Sequence, residues 1–230
     1  DFFLPRMLDV PGKSNGAWME YFWWEVRNFG YQSPYIAEMT NLDWLLLDLL
    51  ANRAGLPLHR FLGADRDWAA VYKGGGSVLL SDEALIQDLQ RFKDEGYQTT
   101  KFKIGGSGAG FSQDIRRLEK ARRALGDDFG IAVDANQAWD AKTAFAFAKE
   151  AAPFGVAWLE EPVHAYDMDA LRELRDLLDN AGIVMEIAMG ESVRSYHTHV
   201  AYAQHGVDHL QPARLCCIAE NMRVREYARQ

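Results

Sequence analysis

The chain has 230 residues, 48% of them hydrophobic, and a formal net charge of -8. That length and composition support one large domain, or a domain with a smaller companion. The acidic balance and the lack of a Lys/Arg stripe argue against a nucleic-acid backbone as partner, and nothing approaches the roughly 18 consecutive apolar residues of a membrane span.

Residues 1–6 do not resemble a signal peptide. An initial Asp is not a normal start of translation, so processing or absent flanking sequence is expected. Leu8 to Gly16 reads as a loop. Met19 to Val26, with Tyr21, Phe22, Trp23 and Trp24, reads either as a strand of a small accessory domain or as a buried helix. A helix is predicted over 41–53, with Asn41 as N-cap and Leu42, Leu45, Leu46, Leu49 and Leu50 at helical spacing. Gly55 and Pro57 stop it, and Asp43 and Asp48 are expected on the surface or at caps. His59 to Gly63 is a short helical turn.

From residue 69 the pattern repeats. A strand run at 69–72 ends in Lys73-Gly74-Gly75-Gly76, and Ser81 caps a helix to Asp94, with Ala84, Leu85, Leu89 and Phe92 facing in. A strand at 99–104 leads into the loop Gly105 to Gly110, whose glycines match neither a Walker motif nor a dinucleotide fingerprint. Ser112 caps a helix to Leu125, on which Arg116, Arg117, Lys120, Arg122 and Arg123 read as a solvated face. Strands follow at 131–135, 155–159, 183–188 and 207–210. Helices follow them, from Asp140 to Glu150, from Asp167 or Asp169 to Leu178, over 193–203 and over 218–228.

Strand–helix units repeated in this way imply a parallel sheet with helices outside it. The fold class is therefore α/β, either doubly wound or about six of the eight units of a TIM-type (β/α)8 barrel. Polar groups at the C-terminal ends of successive strands favour the barrel, because a doubly wound sheet concentrates its site at one switch point. The expected division is a partial capping domain and linking helix over 1–63 and a partial barrel over 64–230.

Those strand ends carry the chemistry. Lys101 and Lys103 in Thr99-Thr100-Lys101-Phe102-Lys103-Ile104-Gly105-Gly106 share one side of a strand, with Phe102 and Ile104 on the other. Asp134, Glu160 with Glu161, and Glu191 end the next runs. A lone Lys-x-Lys is ordinarily a solvated edge and a lone Asp after a strand ordinarily a cap; the repetition sets these apart. Three carboxylates brought together repel and are costly to bury, and a hard divalent cation such as Mg2+ resolves this. No His/Cys cluster with zinc spacing appears. A lysine facing a cation and a second lysine has its pKa lowered and can act as a general base. The matching reaction removes a proton from a carbon next to a carboxylate, with metal and second lysine stabilising the enediolate, a pattern already described for enolase-type sites.

In order and spacing these motifs resemble the enolase superfamily, in its mandelate racemase-like branch, from about Asn41 to the end. The resemblance places Lys103 on the base and Lys101 on the lysine that contacts the substrate carboxylate. Asp134, Glu160 and Glu191 fall on the metal ligands, and Asn136 and Glu161 on supporting positions. It implies a Mg2+-dependent acid-sugar dehydratase, a lyase acting on a small carboxylate, usually as a homo-oligomer. A racemase or epimerase of a 2-hydroxy acid and a degenerate metal-binding relative are the alternatives. Cys216 and Cys217 are the only cysteines and adjacent, so no structural disulfide is expected, which suits the cytoplasm.

Two departures accompany the resemblance. The sixth strand of the branch usually ends in Gln-Pro-Asp, whose acid orients a histidine from the seventh strand; here it ends in Gln211-Pro212-Ala213. No seventh or eighth strand follows, which leaves edges exposed, so further polypeptide is expected to complete the barrel. His209 reads as a core histidine, and His197 and His199 as structural or surface residues.

Overall fold

The computed structural model describes residues 2–9, 14–30, 32–106, 110–213 and 216–230. Parts of the loops expected at 8–16 and 105–110 lie outside them, although helix α1 (Phe3–Asp9) runs into the first. The chain divides into two compact units. One holds Ala70–Met189 and Ala201–Gln211; the other holds the residues up to Ala69, Gly190–Val200 and Pro212–Gln230.

The first of these units is built on a parallel six-stranded sheet in sequence order. Its strands are β1 (Lys73–Gly75), β2 (Thr99–Lys103), β3 (Gly130–Asp134), β4 (Val156–Glu160), β5 (Ile187–Met189) and β6 (His209–Leu210). These are six strands of a (β/α)8 barrel. Two begin four residues later than predicted. The run 69–72 carries no strand, and β1 falls on the lysine and glycines after it, where the Phe92 ring would lie 2.8 Å from a Cβ on Gly75. Val184 is 92% exposed, so pairing in β5 starts only at Ile187.

Helices α5 (Asp82–Asp94), α6 (Ser112–Leu125), α7 (Ala141–Ala151) and α8 (Met168–Asn180) follow the first four strands. Ser81, Asp140 and Asp167 accept the N–H groups of Ala84, Thr143 and Ala170 with their side chains, each satisfying an orphan donor at a helix start. Ser112 is the first helical residue rather than the cap; Phe111 precedes it. Leu85, Leu89 and Phe92 of α5, Leu118 and Leu125 of α6, and Leu171, Leu174 and Leu178 of α8 are buried at helical spacing.

The basic run on α6 is not wholly a solvated face. Arg117 is 2% exposed and donates to the carbonyls of Ser77 and Leu80, both at 2.9 Å. Arg122 donates to the carbonyls of Phe154, Phe129 and Gly155. Their guanidiniums satisfy loop backbone that water would otherwise have to reach.

In the other unit, α2 (Asn15–Val26) settles the aromatic segment as a helix. Phe3, Trp18, Phe22, Val26, Ile36 and Met39 form its core. Helix α3 runs over Pro34–Arg53, so it starts seven residues before Asn41, with proline in its first turn. Its buried positions are Ile36, Met39, Thr40, Asp43 and Ala51, whereas Leu45 and Leu49 are exposed. Of the leucine stripe, Leu42 and Leu46 pack half-buried against this core, while Leu45, Leu49 and Leu50 lie outside it. Asp43 is buried and does cap a helix, though not its own: it accepts the N–H of Ile218 at the start of α10 (Ile218–Ala228) and the Asn15 amide. The short helix α4 (Leu58–Phe61) falls where it is predicted. The two cysteines are free, and burial pushes their thiols up, Cys216 to about 12 and Cys217 to about 11. No helix among the described residues is long and apolar enough to cross a membrane.

Gly76 closes β1 at φ +63°, and a Cβ there would stand 2.5 Å from Phe102 Cβ and 2.7 Å from Leu85 Cδ1. Gly76→Ala is expected to destabilise the protein by about 2–4 kcal/mol, through left-handed strain and overpacking. Urea denaturation checks this as a lowered midpoint.

Candidate active site

Parallel register builds the site. Lys103 pairs with Asp134, and Asp134 with Glu160, so these three residues stand in one row across β2, β3 and β4. Lys101 is two residues earlier on β2 and points to the same side. Phe102 and Ile104, on the other side, are buried.

The charges interlock. Lys101 Nζ lies 2.8 Å from Asp134 Oδ2 and also donates to Glu160 Oε1. Lys103 Nζ lies 2.6 Å from the same Asp134 oxygen. Asp134 and Glu160 are fully buried, and the Lys101 side chain is 10% exposed against 35% for Lys103. The two acids respond in opposite directions. Burial pushes the Asp134 carboxyl up, but the hydrogen bonds from Lys101 and Lys103, with the Asn136 N–H at 2.9 Å, outweigh it and hold the carboxyl below its ordinary value. Glu160 has Lys101 and Gln211 as partners, and burial together with the neighbouring Asp134 charge keeps it above its ordinary value. Burial alone would lower the Lys101 ammonium; its hydrogen bonds to both carboxylates raise it instead. Among these counter-charges the Lys101 ammonium is held in its charged form.

Glu191 follows the end of β5 by two residues. One oxygen from each of Asp134, Glu160 and Glu191 lies within 4.8 Å of the others, a spacing that can hold a metal ion. The donors are all carboxylate oxygens, the chemistry that suits Mg2+. A cationic group, the Lys101 ammonium, already bridges Asp134 and Glu160. The residues thus fit a hard divalent cation.

The supporting residues are set by strained backbone. Asn136, Gln137 and Glu161 all have positive φ, at 44°, 66° and 40°, immediately after β3 and β4. The Gln137 N–H donates to the Glu161 carbonyl at 2.7 Å, and its amide to Glu161 Oε1 at 3.2 Å, locking the two turns together. A cavity of about 920 Å3 opens beside the lysines, walled by Gly74 to Val78, Gly105, Gly106 and Asn136.

Two partners of Glu160 are not among the residues singled out from sequence. Trp158 Nε1 donates to Glu160 Oε2 at 3.2 Å, and Gln211 Nε2 to the same oxygen at 2.8 Å. Strand alternation points to the first, since residues 158 and 160 share a face. Its strand-end position points to Gln211. His209 is not a core histidine: its side chain is 47% exposed and pairs with Glu186 at 2.5 Å. His197 is exposed and His199 buried, both on α9 (Tyr196–Gln204).

A parallel β/α barrel whose strand ends set two lysines against clustered carboxylates is the frame of metal-assisted carbon-acid chemistry. The family described as "Enolase C-terminal domain-like" matches residues 84–230, and the chain belongs to the enolase superfamily, in its mandelate racemase branch. L-talarate/galactarate dehydratase of Salmonella typhimurium is 34% identical over 177 residues, covering 76% of this chain and 43% of that enzyme. The 3,6-anhydro-alpha-L-galactonate cycloisomerase of Streptomyces coelicolor is 31% identical, covering 76% and 46%. Among solved structures, L-talarate dehydratase from Polaromonas sp. JS666, complexed with Mg and L-glucarate, superposes with a TM-score of 0.83 at 29% identity, covering 96% of this chain and 62% of that one. The chain thus spans less than half the length of these two curated relatives.

Lys101→Met leaves two buried carboxylates facing each other without their shared cation. In the absence of divalent metal at pH 7 it is expected to destabilise the protein by about 3–5 kcal/mol. Glu160, already held above its ordinary value, loses its one cationic partner, so the deficit shrinks as pH falls toward 5 and a proton replaces the ammonium. Urea midpoints at the two pH values, with and without millimolar MgCl2, check this; added Mg2+ should recover part of the loss.

Proposed function

We propose that this protein is a Mg2+-dependent lyase that dehydrates a sugar acid by removing the proton next to its carboxylate. The observation that carries the reading is the row Lys103–Asp134–Glu160 beside a cavity large enough for such a substrate. Asp134, Glu160 and Glu191 would hold the ion. When bound, Mg2+ supplies positive charge that withdraws electron density from the substrate carboxylate and stabilises an enediolate.

The two lysines divide the remaining work according to exposure. Lys103, the more open one, takes the α-proton on its Nζ. For that it must be neutral, which requires its contact with Asp134 to yield. Lys101, kept protonated by two carboxylates, presents a permanent positive charge to the substrate carboxylate. The β-hydroxyl departs as water on the proton that the Lys103 ammonium gives back, which restores the base, and the enol product tautomerises to a 2-keto acid. Dehydration is favoured over racemisation because racemisation needs a base on each face of the carbon, and the sixth strand carries Ala213 where an acid would orient the second one. Relatives named for talarate, galactarate, arabinonate and gluconate support an acid sugar as substrate.

The proposal includes residues 1–63 as part of a capping domain, 64–230 as part of the barrel, Asn136 and Glu161 as supports of the site, and a homo-oligomer working in the cytoplasm.

Incubation in D2O with Mg2+ and a panel of acid sugars, followed by NMR, tests the reading. Exchange or loss of the α-proton is expected with at least one sugar, and Lys103→Ala should slow it by about 10³-fold. No exchange with any sugar in the presence of Mg2+ would overturn the proposal.

Removal of a metal ligand gives a second check. Asp134→Asn and Glu160→Gln should each weaken Mg2+ binding by at least about 100-fold by calorimetry, since each removes one of three anionic donors. An unchanged affinity in either variant would take that residue out of the metal site.

A further inference from the structure

Glu160 is gripped asymmetrically. Its Oε1 faces the Lys101 ammonium, while its Oε2 receives two neutral donors, the Trp158 indole N–H at 3.2 Å and the Gln211 amide at 2.8 Å. A carboxylate oxygen has about two lone pairs for hydrogen bonds, so Oε2 is saturated, whereas Oε1 accepts from Lys101 alone and keeps a lone pair for a cation.

The indole itself is held from both sides. Tyr72 meets it edge-on at 5.0 Å between ring centroids, and His209 lies against it at 5.8 Å. His209 is in turn fixed by Glu186 at 2.5 Å. This run of side chains, Tyr72–Trp158–His209–Glu186, gives the indole one orientation, and that orientation aims its N–H at Glu160. Gln211 has a matching constraint. Its amide nitrogen must be the atom facing the carboxylate, because the flipped amide would set two oxygens together.

We infer that Trp158 and Gln211 are positioning residues for Glu160: they occupy Oε2 and so present Oε1 to the divalent cation. This rests on the Mg2+ reading of the site above. Neutral donors suit this task. They turn the carboxylate without cancelling its charge, which a third lysine or an arginine would do. Outer partners of this kind ordinarily change metal affinity by about 10–100-fold when removed.

The test is Mg2+ titration by calorimetry of the wild type, Trp158→Phe and Gln211→Met, with urea midpoints of the metal-free proteins measured alongside. Trp158→Phe keeps a ring between Tyr72 and His209 and removes only the N–H and the second ring. Gln211→Met keeps length and removes the donor. Each variant is expected to bind Mg2+ about tenfold more weakly, and the double variant more weakly than either. Each should keep its metal-free midpoint near that of the wild type, which separates loss of positioning from loss of packing. Wild-type binding with both variants within twofold of it overturns the positioning role and leaves the Mg2+ reading standing. A wild type that binds no Mg2+ overturns the reading and this inference together. A variant whose metal-free midpoint falls as far as its affinity assigns that residue to packing, and overturns its positioning role.

Discussion

The site depends on one electrostatic constraint: two ammonium groups and two carboxylates share a buried patch, and each sign is there because of the other. Asp134 and Glu160 are inaccessible to solvent, and a lone carboxylate so placed would cost several kcal/mol. Lys101 offsets that cost by bridging them, and Lys103 adds a second contact to Asp134. Burial of such a set rarely adds net stability compared with an apolar core. Its placement at the ends of three neighbouring strands marks a site that presents charge.

Parallel register turns that constraint into geometry. A one-residue slip of β3 against β2 would carry Asp134 to the other face of the sheet and leave both lysines facing apolar side chains. The register is secured away from the charges, by Phe102, Ile131, Val133 and Leu159 packed at 0% exposure beneath the helices. The turns just beyond the strands add the final correction. Positive φ at Asn136 and Glu161 lets the chain bend at once, so the Asn136 N–H reaches back to Asp134 Oδ1 and the Glu161 N–H reaches Ala188. Strain is thereby concentrated beside the reacting groups, where backbone strain tends to gather.

The central strands and the charged groups gathered at their ends were legible in the sequence for one reason: alternation on a strand is a period of two, and a polar residue that ends such a run has a predictable face. β2, β3 and β4 are found within a residue of where the pattern puts them. What escaped the pattern obeys other physics. β1 is a strand of lysine and glycines with no propensity of its own, formed because β2 offers it a partner and Phe92 leaves no room for a side chain at Gly75. Arg117 looks solvated in a basic helix, and is buried because loop carbonyls 37 to 40 residues away accept its protons. The leucines of α3 have helical spacing, but which stripe faces inward was decided by α2. Pairings over such distances leave no trace in a local window.

The same distinction separates two identical side chains that lie two residues apart. Sequence makes Lys101 and Lys103 equivalent; depth does not. Lys101 sits lower in the patch, between two acids that together outweigh its desolvation, and its proton is held. Lys103 stands at the rim beside the cavity, with one acid for a partner and a third of its side chain open. Asp134 Oδ2 serves both ammoniums and Glu160 Oε1 serves Lys101 alone, so Lys101 has two anchors in the patch and Lys103 has one.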